Sequence, residues 1–231
     1  MATRSSSTGP KRSQRTGKPL QSTQEPPLSL ERIVQAAVEL MDARGLGGLT
    51  MRRLADHLGS GVMSLYWHVD SKEGVLDLAL DSVMEYRGPA QASPSPDWRE
   101  DVIHMLEDWR ACMLRHPWSA ALLPRRALGA SVLARLELLS EMLSRAGICE
   151  ADLNAAIWSI WNHVMGATVT RTNFGTPSED SKRDAQQRLE RPGERYPAIE
   201  ASRLLLDEDW DGAFRKGLGF LLDGLPLKPA G

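Results

Sequence analysis

Residues 50–72, TMRRLADHLGSGVMSLYWHVDSK, hold the pattern that decides the fold of this chain. Thr50 can cap a helix in which apolar residues recur at helical spacing up to Leu58. The glycine-rich segment 59–61 permits a sharp reversal of the backbone, after which a second, very short helix begins near Val62. Two short helices joined by about three residues form the unit that places its second helix in a DNA major groove. The segment therefore predicts a helix-turn-helix.

Basic side chains flank this unit. Arg52 and Arg53 lie on its first helix, and Lys72 begins the next helix after the cap formed by Asp70 and Ser71. Backbone N–H groups at a helix N-terminus can bind a phosphate together with a lysine ammonium. A helical hairpin with a solvated, charged face would show the same pattern, so the pattern alone leaves both interpretations open.

A longer segment, residues 49–80 (LTMRRLADHLGSGVMSLYWHVDSKEGVLDLAL), resembles the DNA-binding signature of the tetracycline-repressor (TetR-like) family of bacterial regulators. Its most specific part is the run LYWHV at 65–69, which Ser71-Lys72 and an apolar helix follow. The similarity is close over residues 30–86 and continues more loosely to the C-terminus, toward a tetracycline-repressor-like body. The resemblance implies a DNA-binding regulator.

Charge is distributed unevenly along the chain, whose net charge is −2. Residues 1–20 carry five of the 28 basic residues and no acidic residue, so the remainder holds 23 bases against 30 acids. A segment this rich in Ser, Thr, Gly, Pro and base cannot bury enough apolar surface to fold alone. We expect residues 1–27 to form a disordered basic arm, which either reaches DNA or is only a leader.

Composition also predicts the compartment. No apolar run approaches the roughly 18 residues of a membrane span, and the N-terminus lacks the apolar region of a secretory signal. Cys112 and Cys149 are the two cysteines of the chain, which favours a reducing interior over a disulfide scaffold. The expected location is the cytoplasm.

Motifs of enzymes and metal sites are missing from the sequence. The five histidines show neither an HExxH pattern nor paired Cys/His spacing. There is no phosphate-binding glycine loop and no nucleophile elbow. We therefore expect no catalytic residue, no cofactor and no metal, and a hydrolase-like helical enzyme is the third-ranked alternative.

The apolar spacing predicts an all-α fold, with an N-terminal three-helix helix-turn-helix head joined to a helical body. The resemblance implies that this body is a ligand-binding and dimerisation domain. Beyond the head, helices are predicted over 98–116, 131–146, 150–171 and 210–225, with a mobile polar loop between 175 and 197. The expected division is a basic arm over 1–27, a DNA-binding domain over 28–89 and an effector-binding and dimerisation domain over 97–226, with a linker at 88–97.

The body contains most of the tryptophans. Each one could be an ordinary core residue, but together they suggest an aromatic-walled cavity for a drug-sized molecule. The resemblance likewise implies a small effector. The candidate pocket residues are Trp109, Cys112, Met113, His116, Trp158, Trp161 and Met165. The founding proteins of the family recognise tetracycline with a histidine at the end of the fourth helix. Residues 84–88 read MEYRG here, so a tetracycline–magnesium complex is not the expected ligand.

The DNA contacts are expected on the helix-turn-helix. Those assigned to base edges are Arg52, Val62, Met63 and Ser64, and those assigned to phosphates are Tyr66, His68 and Lys72. Leu65 and Trp67 are expected to pack inside the head.

The expected function is that of a ligand-responsive repressor, which binds a palindromic operator as a homodimer and is released by a small, largely apolar effector. The main alternative keeps the fold but removes the effector, as an effector-independent DNA-binding regulator with a filled body. Dimerisation is expected to use a face of small residues, which are Ala155, Ser159, Asn162 and Gly166, against the apolar stripe of the last helix.

Overall fold

The computed structural model describes residues 27–86, 88, 97–174, 178–189, 196–202 and 209–227. These residues form eleven α-helices: α1 (Leu30–Arg44), α2 (Met51–His57), α3 (Val62–Tyr66), α4 (Lys72–Met84), α5 (Trp98–Arg115), α6 (Pro117–Leu122), α7 (Ala130–Arg145), α8 (Glu150–Phe174), α9 (Glu179–Leu189), α10 (Pro197–Ser202) and α11 (Trp210–Asp223). Their only β pairing is an isolated bridge between Ile148 and Leu227, so the all-α prediction is confirmed. We call α1–α4 the head and α5–α11 the body.

The helices of the head begin and end where local chemistry dictates. Ser29, Thr50 and Ser71 each accept a hydrogen bond from the backbone N–H three residues further on, over 3.3, 3.2 and 3.0 Å. These caps satisfy backbone donors that the first turn of a helix leaves unpaired. Gly45 and Gly59 follow α1 and α2 with φ angles of 65° and 62°, a left-handed region that glycine enters without strain. The predicted helix caps at Thr50 and Ser71 and the predicted reversal of the backbone at residues 59–61 are confirmed.

The head has its own apolar core. Leu54 of α2 and Leu65 of α3 are completely buried, as are Ile33 of α1 and Val75 of α4. Helix α1 packs against both α2 and α4, and α2 packs against α3. The short α3 could not be stable as an isolated helix, so this packing fixes its position.

In the body, α5 is enclosed on two sides. Val102 and Met105 on one face are buried, and so are Ile103 and Leu106 on another. Helix α5 is therefore buried on two sides. Helix α8 packs against α5, α6, α7 and α11, so these helices share one core.

Two features of the body differ from the sequence-based expectation. The polar segment between 175 and 197 was expected to be a loop, but its residues Glu179–Leu189 form α9. This expectation was wrong because it relied on apolar periodicity, which a solvated helix lacks. Helix-favouring residues such as Gln, Arg and Leu, together with Ser178 accepting from the backbone N–H of Ser181 over 3.1 Å, stabilise α9 instead. A further short helix, α6, was not predicted and begins directly after α5 at Pro117, whose fixed φ suits the first position of a helix.

Other expectations fall outside the described residues. The predicted basic arm lies there except for Pro27, and so does almost all of the predicted linker. Both therefore remain predictions, together with the domain boundaries that depend on them. No helix in the described ranges is long and apolar enough to cross a membrane.

Candidate DNA-binding and effector sites

Helix α3 presents a row of side chains to solvent at the surface of the head. Met63 is 74 % exposed and Tyr66 is 44 % exposed, and Ser64 is also exposed. Leu65 is completely buried beneath them and anchors the helix in the core of the head. Val62, at the first position of α3, is half-buried and packs against that core. The outer face of α3 is therefore free to contact a partner over its whole length.

The position of Trp67 differs from the sequence-based expectation. It was expected to pack inside the head, but it is 87 % exposed. Side chains two positions apart on a helix point to nearly opposite sides, so Trp67 cannot share the buried direction of Leu65. Val69, four residues after Leu65, is the buried partner instead, and its N–H donates to the Leu65 carbonyl over 3.0 Å. Helical spacing alone contained this signal, and Trp67 joins the exposed face of α3.

The basic residues of the head divide into exposed and structural groups. Arg52 and His68 are exposed beside α3, whereas Lys72 is half-buried at the first position of α4. Arg53 turns back toward the end of α1, where its Nη1 donates to the carbonyl oxygens of Gly47 and Gly48 over 3.3 and 3.4 Å. Arg53 therefore stabilises the connection between α1 and α2, while Arg52 is free to reach a phosphate or a base.

A cavity of about 400 Å³ opens in the body between α8, α7 and the connection that follows α6. Two of the predicted pocket residues, Trp158 and Trp161, line it. Its other lining residues, which the sequence analysis did not identify, are Leu123, Pro124, Arg126, Leu128, Leu136 and Ile157. Its volume falls in the range of sites for drug-sized molecules, and its wall is mainly apolar.

The two tryptophans of this wall form a connected cluster with a third, Trp109, which lies behind them. The ring centroids of Trp161 and Trp109 are 5.2 Å apart, and those of Trp161 and Trp158 are 6.1 Å apart. Both pairs pack edge to face. Trp109 is buried, whereas Trp158 is 57 % exposed at the cavity. The exposed indole of Trp158 is therefore available to contact a molecule that enters the cavity.

The remaining predicted pocket residues lie elsewhere. Cys112 is buried against α4, where its thiol donates to the carbonyl of Val83, and burial raises the pKa of that thiol. His116 lies at the end of α5, with its Nδ1 2.9 Å from Asp42 of α1. Met113 and Met165 are buried in the core. Of the seven candidates, the structure thus brings Trp158 and Trp161 together at the cavity, with Trp109 directly behind them.

Polar contacts connect the body to α4 at three levels. In the first half of α4, Arg126 donates from Nε and Nη2 to the two carboxylate oxygens of Asp77, each over 2.6 Å. One turn further on, Asp81 accepts from the backbone N–H of Ser131 over 2.8 Å and so supplies the cap that α7 lacks at Gly129. A Cβ at Gly129 would collide with that carboxylate.

At the end of α4, a buried guanidinium makes the third connection. Arg135 is 1 % exposed and donates to the carbonyl oxygens of Met84 and Glu85 over 2.7 and 3.3 Å, and to Asp108 over 3.0 Å. The last carbonyls of a helix have no partner within it and carry partial negative charge, so a cation at this position is favourable. Helix α4 is therefore held by the body along its whole length.

Helix α1 is tied to the body by one carboxylate. Asp42 accepts from Nε1 of Trp118 over 2.7 Å and pairs with Nδ1 of His116 over 2.9 Å. Because Trp118 belongs to α6 and is buried, this contact connects α1 to the helix that leads into the cavity wall.

The face of small residues on α8 is exposed in the single chain. Ala155, Ser159, Asn162 and Gly166 all face solvent, and a Cβ added at Gly166 would meet nothing within 4 Å. On α11, Phe220 is 66 % exposed, and Gly219 also has open space around it. Gly217 differs, since a Cβ there would lie 2.5 Å from Cε1 of His163. Gly217 therefore serves packing within the chain, whereas Gly166 and Gly219 border a free surface.

An all-α chain with a helix-turn-helix in its head and an apolar cavity in its body has the architecture of a DNA-binding regulator. Two family models match this chain. Residues 33–79 match the bacterial regulatory proteins of the TetR family, and residues 90–228 match the tetracycline repressor-like C-terminal domain. The chain belongs to the TetR family of bacterial transcriptional regulators, as the sequence analysis expected.

Curated relatives of this chain are regulators as well. An HTH-type transcriptional regulator of Saccharopolyspora erythraea is 40 % identical over 208 residues, which cover 89 % of this chain and 87 % of the relative. The HTH-type transcriptional repressor DrrR1 of Streptomyces coeruleorubidus is 34 % identical, over 88 % of this chain and 79 % of the relative.

Solved structures of the same family superpose over most of the chain. The TetR regulator SCO7222 of Streptomyces coelicolor is 27 % identical with a TM-score of 0.71, covering 86 % of this chain and 97 % of the other. ActR of Streptomyces coelicolor, in complex with actinorhodin, is 26 % identical with a TM-score of 0.68 over the same shares. BioQ, in complex with its double-stranded DNA operator, is 25 % identical with a TM-score of 0.59, covering 86 % of this chain and 98 % of the other.

Proposed function

We propose that this chain is a ligand-responsive transcriptional repressor. It acts in the cytoplasm, binds a palindromic DNA operator as a homodimer, and is released when a small, largely apolar effector occupies the cavity of the body. The observation that carries this proposal is a physical connection between cavity and head. Arg126 lines the cavity and at the same time donates to Asp77 of α4.

Residues 28–89 are the proposed DNA-binding part. Arg52, Met63 and Ser64 are exposed on or beside α3 and have access to base edges, and Val62 contributes its outer methyl group. Tyr66, His68 and Lys72 are assigned to phosphates, where backbone N–H groups of α4 add to the lysine charge. We add Trp67, because its exposed indole has no packing role in the head. BioQ, which superposes on this chain, was solved with its DNA operator, and this supports DNA binding by this chain.

Residues 97–226 are the proposed effector-binding and dimerisation part. The small face of α8 lets a second helix approach closely, and the exposed Phe220 of α11 supplies apolar area beside it. Two copies of this surface related by a two-fold axis would form a four-helix interface. The two heads would then bind half-sites related by the same axis, which makes the operator palindromic.

The effector is proposed to act through α4. Its leverage is the difference between its affinities for the DNA-bound and the released conformations. Helix α4 begins with Lys72 at the proposed DNA surface and runs past Asp77 to Arg135 of the body. A ligand that shifts the cavity wall at Arg126 therefore tilts α4 and changes the separation of the two α3 helices.

The cavity residues divide into two roles under this proposal. Trp158 and Trp161 contact the effector, with Trp109 packed behind them, whereas Met165 is buried in the core of the body. Cys112 and His116 contact α4 and α1 of the head, so we assign them to transmission, whereas Met113 is buried in the core. ActR, which superposes on this chain, was solved in complex with actinorhodin, and this supports a small-molecule effector for this chain. No metal is proposed, since no group of three or more potential metal ligands occurs within the described ranges.

Thermodynamic reciprocity provides the test. An operator is first selected from random DNA with the purified protein, and effectors are found as small molecules that raise its melting temperature. Effector is then titrated into the protein with and without operator. We expect operator to weaken effector binding by the same factor by which effector weakens operator binding. Equal affinities in the two titrations would contradict the repressor mechanism and favour the effector-independent regulator.

A further inference from the structure

Arg126 carries the charged group in the wall of an otherwise apolar cavity. The other lining side chains are Leu123, Pro124, Leu128, Leu136, Ile157 and the two tryptophans. A cation in a wall of apolar and aromatic groups favours a ligand that brings an acceptor to it, because a hydrogen-bond donor left without a partner next to bound apolar atoms is costly. The chemistry at this guanidinium therefore determines what the cavity accepts.

The guanidinium of Arg126 is only partly engaged by the protein. Its Nε and Nη2 donate to Asp77, and Nη2 also donates to the carbonyl of Glu73 over 3.0 Å. Among the described residues, its Nη1 donates no hydrogen bond. Nε and Nη2 of the planar guanidinium thus hold α4, while the N–H groups of Nη1 remain available to a ligand.

We infer that the cavity takes a flat aromatic molecule bearing an ionised acid, whose carboxylate or phenolate binds Arg126 in competition with Asp77. This inference rests on the proposed function and names the class of its effector. The ring system stacks or packs edge-on against Trp158, which matches the size and apolar character of the wall. The acid supplies the charge-assisted hydrogen bonds that a guanidinium forms best.

Competition follows from the local charges. Arg126 is a single cation already shared between Asp77 and the neighbouring Glu73. A second carboxylate at the guanidinium repels Asp77 and takes a share of the charge of the cation, so the bound ligand weakens the Arg126–Asp77 pair. The side chain of Asp77 is 50 % exposed, and ion pairs at such positions contribute little net stability, so the pair can be exchanged. A neutral carbonyl oxygen cannot replace the negative charge of Asp77 and leaves the pair intact.

The Arg126–Asp77 ion pair also couples effector binding to DNA binding. With Asp77 held, α4 keeps its position against the connection that follows α6. When the ligand weakens this pair, one of the three polar contacts between α4 and the body is loosened, and it is the one nearest the proposed DNA surface.

The test uses two matched compounds, anthracene-2-carboxylate and anthracene-2-carboxamide, which share shape but differ in charge. Calorimetric titration into the full chain without DNA should show the carboxylate binding about tenfold or more tightly than the carboxamide. Arg126→Gln should abolish this preference by weakening only the carboxylate. Asp77→Asn should act in the opposite direction and strengthen carboxylate binding by about threefold or more, because it removes the competitor.

Arg125→Gln is the matched control, since this neighbouring arginine is exposed and does not line the cavity. It should leave both affinities unchanged. Equal affinities of the two compounds for the unaltered chain, or binding of both weaker than about 100 µM, would overturn the proposed ligand class. A weakened carboxylate in Asp77→Asn would overturn the competition. None of these results depends on operator binding, so the proposed repressor function is tested separately by the reciprocity experiment.

Discussion

The guanidinium of Arg135 lies under the last turn of α4 and donates through Nε to the carbonyl oxygen of Met84 over 2.7 Å. The same guanidinium lies 4.9 Å from the ring centroid of Tyr86 and 5.7 Å from that of Trp109. Its Nη1 has no hydrogen-bond partner in the described structure, so these aromatic faces are its remaining favourable contacts. The end of α4 and the tryptophan cluster of the cavity are thus joined through one buried cation.

Replacing Arg135 with Met should be strongly destabilising. The substitution leaves the carbonyls of Met84 and Glu85 without their donor and Asp108 without its partner. We expect a loss of about 3 kcal/mol or more in the free energy of unfolding, measured by urea denaturation. Arg145→Met serves as the control, because Arg145 is exposed and pairs only weakly with Glu141 at 3.9 Å. A loss equal to that of the control would show that the buried guanidinium does not hold α4.

Substitutions at Trp67 and Leu65 should have different effects, with the first lowering DNA affinity and the second lowering stability. Trp67→Ala removes an exposed side chain, so the free energy of unfolding should change by less than about 0.5 kcal/mol while operator affinity falls. Leu65→Ala removes a completely buried side chain and should cost about 2–5 kcal/mol in stability. Denaturation and fluorescence-anisotropy titration of operator DNA measure the two quantities. Unchanged operator affinity in Trp67→Ala would remove Trp67 from the proposed interface.

Much of the head could be predicted from sequence because its signals are local. The caps at Ser29, Thr50 and Ser71 and the left-handed glycine at 59 each act on neighbouring residues. Even the position of Trp67 followed from its offset from Leu65. Sequence reasoning failed there because it weighed the apolar character of tryptophan above the geometry of the helix.

The cavity could be predicted only in part for the opposite reason. Trp158 and Trp161 stood out as aromatic residues on one helix. Arg126 reaches the cavity through the turn of the chain after α6, and its partner Asp77 lies 49 residues away, so no local pattern connects them. Buried ion pairs and helix ends that meet across the fold depend on tertiary packing, which single-sequence periodicity does not contain.

Lys72 should contribute to DNA binding without contributing to sequence choice. It is the first residue of α4, directly after the Ser71 cap. Lys72→Ala should weaken binding to operator and to unrelated DNA by similar factors and reduce the salt dependence of the logarithm of the affinity by about one unit. Titrations at several salt concentrations measure both effects. Loss of affinity confined to one operator base pair would contradict a phosphate contact.

Substitutions at two glycines should test the proposed dimer, because one should weaken dimerisation and the other should weaken folding of the single chain. A Cβ at Gly166 meets nothing within 4 Å, so Gly166→Leu fits within one chain and should overpack only the interface with a second chain. Overpacking costs about 1–3 kcal/mol, which should shift the monomer–dimer equilibrium at micromolar concentration, as measured by light scattering. Gly217→Ala instead brings a Cβ to 2.5 Å from His163 and should lower the stability of the folded chain itself. If Gly166→Leu remains a dimer with unchanged dissociation constant, the interface does not include this face of α8.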